Sequence, residues 1–506
     1  MLLGDLVDVS AAVSTTSSRK EKTRLIAALL LAAEPEQRQL AARYLSGRLR
    51  QRRTGLGWRS LQALPAPASE PSLTVAQVDA AFDAMSRLAG AGSAGTRAMF
   101  AADLFGRATE VEQRWLRAVA VGEVRQGALE AVVTEALALA ADVPLAAVRR
   151  AAMLAGGATY VVDAAFEGVA ALERVGLTVG RPVLPMLASS APDVAAALAK
   201  AAGGRDREVA VDAKLDGIRI QVHRDGDDVM VATRSLDDVT HRLPEIVEIV
   251  RGLPAQRLVL DGEALSVGAD GRPRPFQETA SRTASGVDRS ATVVTPYFFD
   301  VLHLDGRDLI DLPAAERWAV LDALVPAEHR VRRWQGTDPE LAEAFSREIL
   351  AAGHEGVVVK SADAAYEAGR RGSAWVKVKP VHTLDLVVLA VEHGSGRRRG
   401  WLSNIHLGAR DPSSPTGFVM LGKTFKGMTD EMLRWQTERF RELAVEDDGW
   451  VVRVRPEQVV EIAFDGLQRS SRYPGGLALR FARVVRYRDD KTADEADTID
   501  TVRALL

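Results

Sequence analysis

The chain has 506 residues, of which 47% are hydrophobic and 26% charged, and a formal net charge of −3. That length predicts roughly two to four domains, each able to bury its own core, and the composition is that of a globular protein, not a disordered or fibrous one. There is no cysteine, which excludes disulfides, thiolate-bound zinc and a cysteine nucleophile. The small net charge gives no global basic field but leaves local basic patches open.

The opening residues, Met1-Leu-Leu-Gly-Asp-Leu6, lack the basic and apolar regions of a secretory signal. The apolar run 25–33 is far too short to span a bilayer, so the chain reads as cytoplasmic. Residues 1–181 are rich in Ala and Leu at helical spacing. Helices are expected near 22–33, 36–49, 75–89, 96–107, 109–120, 127–139 and 144–155, making an all-helical domain.

Residues 182–382 change texture. Alternating runs predict strands near 209–214, 218–224, 229–234, 258–265, 297–302 and 356–360, with helices near 314–324 and 339–352. This is an α+β domain with antiparallel sheets. Residues 383–506 are again strand-rich, near 384–392, 403–409, 418–424, 451–454, 459–464 and 479–487, with one helix at 429–443. That pattern fits a small closed β-barrel such as an OB-fold. A short helix is expected at 499–506.

The middle domain carries the chemistry. Lys214-Leu-Asp-Gly-Ile-Arg219 is weak alone, since Asp-Gly reads equally well as a hairpin turn with Lys and Arg in solvent. It gains meaning from polar residues on later strand ends: Arg234, Asp261-Gly-Glu263, Phe299, Glu355-Gly-Val-Val-Val-Lys360, Arg371, Lys377 and Lys379. Lysine is the amine that burial and neighbouring cations turn into a nucleophile near neutral pH. Lys377 and Lys379, two apart on a strand, share one side and suit phosphates. Glu355 suits Mg²⁺, while Phe299 offers a flat face to a purine and Glu263 an acceptor to ribose. Taken singly, Phe299 reads as core, the glutamates as solvated strand ends and Trp375-Val-Lys-Val-Lys379 as a half-buried strand. The order of the whole set argues for nucleotidyl transfer.

Across 212–379 this set, together with Arg480-Phe-Ala-Arg-Val-Val-Arg-Tyr-Arg488-Asp-Asp490-Lys491, resembles the covalent nucleotidyltransferases: ATP-dependent DNA ligases, RNA ligases and mRNA capping enzymes. Pro182-Val-Leu-Pro-Met-Leu-Ala188 and Gly122-Glu-Val-Arg125-Gln-Gly127 resemble the segment opening the adenylation domain and the DNA-gripping loop of three-domain bacterial and archaeal DNA ligases. The resemblance implies a DNA-binding domain at 1–181, an adenylation domain at 182–382 and an OB-fold at 383–506.

It also implies roles. Lys214 would be the adenylated nucleophile, and Asp212 would read the adenine amino group where a Glu is common. Arg219, Arg234, Arg371, Lys377 and Lys379 would contact the nucleotide. Glu263 would bind ribose or metal, Phe299 would stack on adenine and Glu355 would ligate Mg²⁺. Arg480, Arg488, Asp490 and Lys491 would orient the pyrophosphate. Ala482 stands where Pro is common. ATP is the implied substrate, Mg²⁺ the metal with Mn²⁺ as a substitute, and nicked duplex DNA the partner of a nucleoid-associated monomer. No membrane partner is implied, and no plain clamp-binding peptide is present.

Candidate phosphate contacts are the Gly-flanked basic residues Arg125, Arg397, Arg398, Arg399, Lys423 and Lys426. Any one run reads as solvated charge, but several in separate regions fit a sequence-independent, salt-sensitive grip on a duplex. An RNA ligase or capping enzyme of the same fold is disfavoured by the helical domain ahead of the core. A non-catalytic nick-binding scaffold is disfavoured by the intact Lys214, Glu355, Lys377 and Lys379.

Overall fold

Several helices begin where a hydroxyl precedes an apolar-periodic run. Ser18 accepts from the Glu21 N–H and opens Arg19–Ala32. Thr109 and Glu112 form a reciprocal capping box that opens Glu110–Ala120. The computed structural model describes residues 1–51, 54–124, 126, 130–204, 207–268, 271–274, 276–281, 293–367 and 371–505, with Ser281, Arg371 and Arg397 described by backbone alone.

The remaining long helices of the first region are Leu3–Thr15, Pro35–Leu45, Val75–Ser86, Ser93–Gly106, Glu130–Ala140 and Leu145–Ala155, followed by short Val162–Glu167 and Val169–Glu173. They bury one core that includes Leu3, Ile26, Leu30, Tyr44, Phe82, Phe105, Leu116 and Leu137. The expected helices are all present with ends shifted by a few residues. Leu3–Thr15 was not expected, although Leu3, Leu6, Val7 and Val13 lie on its buried face at helical spacing.

Ten strands come next: β1 Leu187–Ser190, β2 Val209–Lys214, β3 Ile218–Asp225, β4 Asp228–Thr233, β5 Arg257–Leu265, β6 Thr295–Leu304, β7 Arg307–Asp308, β8 Arg333–Gly336, β9 Gly356–Ser361 and β10 Arg371–Val378. They form two five-stranded sheets, ordered β1-β10-β9-β2-β8 and β4-β3-β5-β6-β7. The second sheet is antiparallel throughout. The first departs from the expected antiparallel pattern, because β1 runs parallel to β10. These two strands come from opposite ends of the domain sequence, so no tight turn forces them antiparallel.

The chain divides into two compact units, 1–354 with 358–377, and 355–357 with 378–506. In the second, β11 His382–His393 pairs β12 Leu402–Arg410, which pairs β13 Phe418–Thr424. β11 also pairs β15 Val451–Val454 and β16 Val459–Phe464. β14 Ala444–Asp447 flanks β15, β17 Gly466–Arg469 pairs β18 Leu477–Arg480, and β19 Arg483–Tyr487 pairs β16. The helix Asp430–Glu442 supplies Phe440 to this unit's apolar core. The single strand expected at 479–487 is split, because Phe481 takes a positive φ of 55° and breaks the extended run. No helix among the described residues is long and apolar enough to cross a membrane.

Candidate active site

β2 and β3 do not form a hairpin. They belong to different sheets, and Leu215-Asp216-Gly217 carries the chain from one to the other. Lys214, the last residue of β2, therefore stands at the seam between the sheets. The glycine is dictated by close approach: a Cβ at Gly217 would lie 2.3 Å from the Ala264 carbonyl oxygen and 2.9 Å from Glu263 Cγ. Any side chain there would push the crossing off β5.

Cross-strand register then builds the floor. Arg219 on β3 lies opposite Glu263 on β5, and Asp261, two residues away, shares their face. The Arg219 guanidinium forks onto Asp261, with Nε–Oδ1 at 3.0 Å and Nη2–Oδ2 at 2.6 Å, and Nη1 donates to the Met186 carbonyl at 2.6 Å. Burial and the Asp261 carboxylate push the Tyr366 phenol well up. It keeps its proton and donates it to Asp261 at 2.7 Å. The Arg219 fork, expected to meet the nucleotide, is thus occupied by a buried carboxylate.

Phe299 owes its placement to a β-bulge. On β6, Asp300 pairs Asp261 and Phe298 pairs Gly262, so Phe299 between them has no partner on β5. An extra residue of this kind re-aims its side chain. Gly262 is part of the device, since a Cβ there would sit 2.8 Å from both Phe298 Cδ1 and the Tyr297 oxygen. The Phe299 ring is 9% exposed and meets Trp375 edge-on at 5.7 Å. The facing carboxylates Asp261 and Asp300 are each neutralised by their own arginine, Asp300 by Arg317 from the helix Ala314–Leu324 at 2.8 and 2.9 Å.

Asp212 differs most from expectation. Both its oxygens are engaged: Arg333 donates through Nε at 2.6 Å and Nη2 at 2.8 Å, and Lys360 Nζ lies 2.6 Å from Oδ2. Burial alone would raise this carboxyl, but the two cations outweigh it and hold it below its ordinary value. Glu263 shows the opposite balance. Burial pushes its carboxyl up to about 7 against the pull of Arg219 and Lys214.

Arg234 lies exposed in the turn after β4, and Lys377 is half-buried near the end of β10. Within the second unit, Lys379 pairs with Glu355, and its Nζ also lies 3.6 Å from Asp465. Arg480 ends β18. Arg488 grips Asp490 at 2.8 and 2.7 Å and Asp385 at 3.0 Å, while Lys491 reaches Asp385 at 2.6 Å. The Arg488 hydrogen bonds hold the Asp490 carboxyl down to about 2.

Of the expected DNA contacts, Arg125 lies outside the described residues, as does the Arg397 side chain. Arg398 donates to the Phe425 carbonyl at 2.8 Å, Arg399 is exposed, Lys423 pairs with Glu392, and Lys426 lies 5.5 Å from the Phe481 ring. The Arg371 side chain is likewise outside the described residues. Sequence reasoning assigned no role to Lys360, Arg333, Asp261, Tyr366 or Asp385. Alternation marks a strand's buried face but not which distant strand supplies the counter-charge.

No three His, Asp or Glu side chains converge as a ready metal cage among the described residues. Of the two glutamates expected to hold a metal, Glu263 has its carboxyl pushed up to about 7 by burial and Glu355 is paired with Lys379, so a hard cation here would have to take most of its oxygens from substrate phosphates and water.

Comparison with known proteins extends the geometry to a family. The model described as "ATP dependent DNA ligase domain" matches residues 185–379, "ATP dependent DNA ligase C terminal region" matches 398–491, and "DNA ligase N terminus" matches 58–138. A protein named "Probable DNA ligase" from a Nocardioides species is 66% identical over 100% of this chain and 99% of its own length. Another of that name from Kineococcus radiotolerans is 63% identical over 100% of both. A solved structure named "Pmar-Lig_Pre" shares the fold at 17% identity, with a TM-score of 0.63 over 96% of this chain and 99% of that one. With likeness of this depth running end to end, the chain belongs to the ATP-dependent DNA ligases, enzymes that form phosphodiester bonds.

Proposed function

We propose that this ligase seals nicks through AMP carried on Lys214. The lysine attacks the α-phosphorus of ATP, a P–N bond forms, the bond to the β-phosphate oxygen breaks, and pyrophosphate leaves with the electron pair. The ammonium loses one proton before attack and the nitrogen a second as the P–N bond forms, and it takes a proton back when it later leaves. The nick's 5′-phosphate oxygen then displaces the lysine and takes the AMP. Finally the 3′-hydroxyl attacks that phosphate, loses its proton and expels AMP.

The observation that carries this reading is the position of Lys214 at the inter-sheet crossing, beside Glu263 and on the strand next to β9. Phe299 would stack on the adenine. Arg234 and Arg371 would contact the nucleotide and Lys377 and Lys379 the α-phosphate, while Arg219 would reach the nucleotide only by giving up its fork on Asp261. Mg²⁺ would neutralise phosphate charge. Glu263 would have to give up its proton to ligate it, and Glu355 would exchange its Lys379 partner. Arg480, Arg488, Asp490 and Lys491 would orient the leaving pyrophosphate. The strand-rich second unit would work as an OB-fold domain. The helical region would grip nicked duplex DNA, with Arg398, Arg399, Lys423 and Lys426 adding phosphate contacts, and the chain would act as a monomer.

The test is nick joining with ATP, NAD⁺ or GTP on matched DNA and RNA nicks, with Mg²⁺ or Mn²⁺. Joining of DNA with ATP alone supports the reading. Label transfer from GTP, or sealing of RNA nicks only, replaces it with a capping or RNA-ligase activity. Nick binding without joining leaves a scaffold.

A further inference from the structure

We propose that Asp212, Lys360 and Arg333 form a positioning triad that sets the plane of Phe299 and the strand carrying Lys214, and that Asp212 does not itself read the nucleobase. This rests on the reading that Lys214 accepts AMP from ATP.

Three observations converge. Asp212 sits two residues before Lys214 on β2, and its neighbours in the sheet are Arg333, its register partner on β8, and Lys360 on β9. The Asp212, Arg333 and Lys360 side chains are 3%, 8% and 3% exposed, so the carboxylate is sealed from solvent and ligand alike. Three N–H donors already meet its two oxygens, and a carboxylate offers about four acceptor positions in all.

The same two cations hold Phe299 from two sides, with the Arg219 guanidinium farther off at 5.4 Å from the ring centroid. Lys360 Nζ lies 4.3 Å from the centroid of the Phe299 ring and 4.2 Å from that of Trp375. An ammonium over ring faces at this range is attracted by their quadrupoles, the more so when desolvated. Arg333 Nη2 donates to the Phe299 carbonyl at 3.0 Å, and its guanidinium stacks on Trp318 at 4.4 Å. Asp212 is the common anchor of both cations. Because Phe299 is the unpaired residue of a bulge, β5 does not fix it, and the triad supplies what the ladder omits. Removing the Lys360 charge should therefore be felt in nucleotide binding more than in the chemical step. The lost contact acts on the ring that meets the base, not on the phosphorus.

The experiment measures enzyme–AMP formation by the full chain over a range of ATP and GTP concentrations, with melting temperature recorded for each variant. The set is Asp212→Asn, Lys360→Met, Lys360→Arg and the Asp212→Asn/Lys360→Met double variant. Lys360→Met should raise KM for ATP about tenfold, with kcat within about threefold of wild type. Lys360→Arg, which keeps the charge over both rings, should recover most of the loss. The double variant should be no worse than the poorer single one by more than about threefold, the non-additivity expected of one network. Asp212→Asn should keep the ATP-over-GTP preference within about threefold.

If Asp212→Asn lowers that preference about tenfold or more while Lys360→Met does not, Asp212 reads adenine directly and the proposal fails. A wild-type KM in Lys360→Met also overturns it. Should Lys360→Met not fold, Asp212→Asn decides the claim on base reading, and KM in Lys360→Arg against Asp212→Asn decides the claim on positioning. A wild-type chain that forms no adduct with ATP refutes the Lys214 reading instead, and the two failures are thereby distinct.

Discussion

The adenylation sheets and the C-terminal unit differ in how deeply their best-buried ion pairs are set. Three bidentate ion pairs at the centre of the sheets, Arg317–Asp300, Arg333–Asp212 and Arg219–Asp261, are sunk into the protein, while others on the rim, such as Arg257–Asp225, are exposed. In the C-terminal unit some pairs sit largely in water, as with Arg486–Glu461 and Arg453–Glu446, and even its deeper ones, Arg488–Asp385 and Lys379–Glu355, keep both partners partly exposed. Buried pairs contribute little net stability over an apolar core but are costly to break, so they fix geometry. Exposed pairs are weak and exchange partners easily. The first region is built to hold an aromatic ring and a lysine in place.

The contrast should be largest at Asp300. Asp300→Ala would leave Arg317 buried and unpaired, and denaturant unfolding should show a loss of about 3–5 kcal/mol. A loss below about 1 kcal/mol would put this pair in the same class as the surface ones. Gly217→Ala tests geometry instead of charge. Displacing the crossing by the clash with the Ala264 oxygen should slow adduct formation about a hundredfold while leaving the C-terminal unit's unfolding unchanged.

Glu263 tests the buried side of the contrast through pH. Its folded carboxyl keeps a proton up to about 7, against an ordinary value of 4.5. Between those values the folded chain binds a proton that the unfolded chain has lost. Its contribution to stability therefore falls as pH rises from about 4.5 to about 7. Glu263→Gln should flatten stability against pH in that window, and an unchanged slope would remove the assignment. The smallest effect is expected for Arg486→Ala. It breaks a pair whose arginine is 62% exposed and should cost less than about 1 kcal/mol in thermal unfolding.

Much of this was legible in the chain. Helical spacing and alternation mark most of the long elements, but not the helices Leu3–Thr15, Val194–Ala201 and Pro244–Arg251 or the strands β1 and β8, and strand-end residues mark the candidate site from Lys214 to Lys379. The rest depended on distance. Arg333 reaches Asp212 across 121 residues, and nothing in the local pattern of either strand names the other. The bulge that frees Phe299 is a mismatch in register between β5 and β6, which exists only once the strands are paired. Taken locally, the Asp-Gly after Lys214 reads as a hairpin, because turn chemistry is local. Its real use, crossing between sheets, is set by the close approach to β5.

The role of Lys214 is open to one direct measurement. The full chain is incubated with ATP and Mg²⁺, digested, and mapped by mass spectrometry for peptide-bound AMP, alongside Lys214→Ala. One AMP on the peptide containing Lys214, and none on the variant, is the predicted result. AMP attached to another residue, or normal adduct formation by Lys214→Ala, would contradict it.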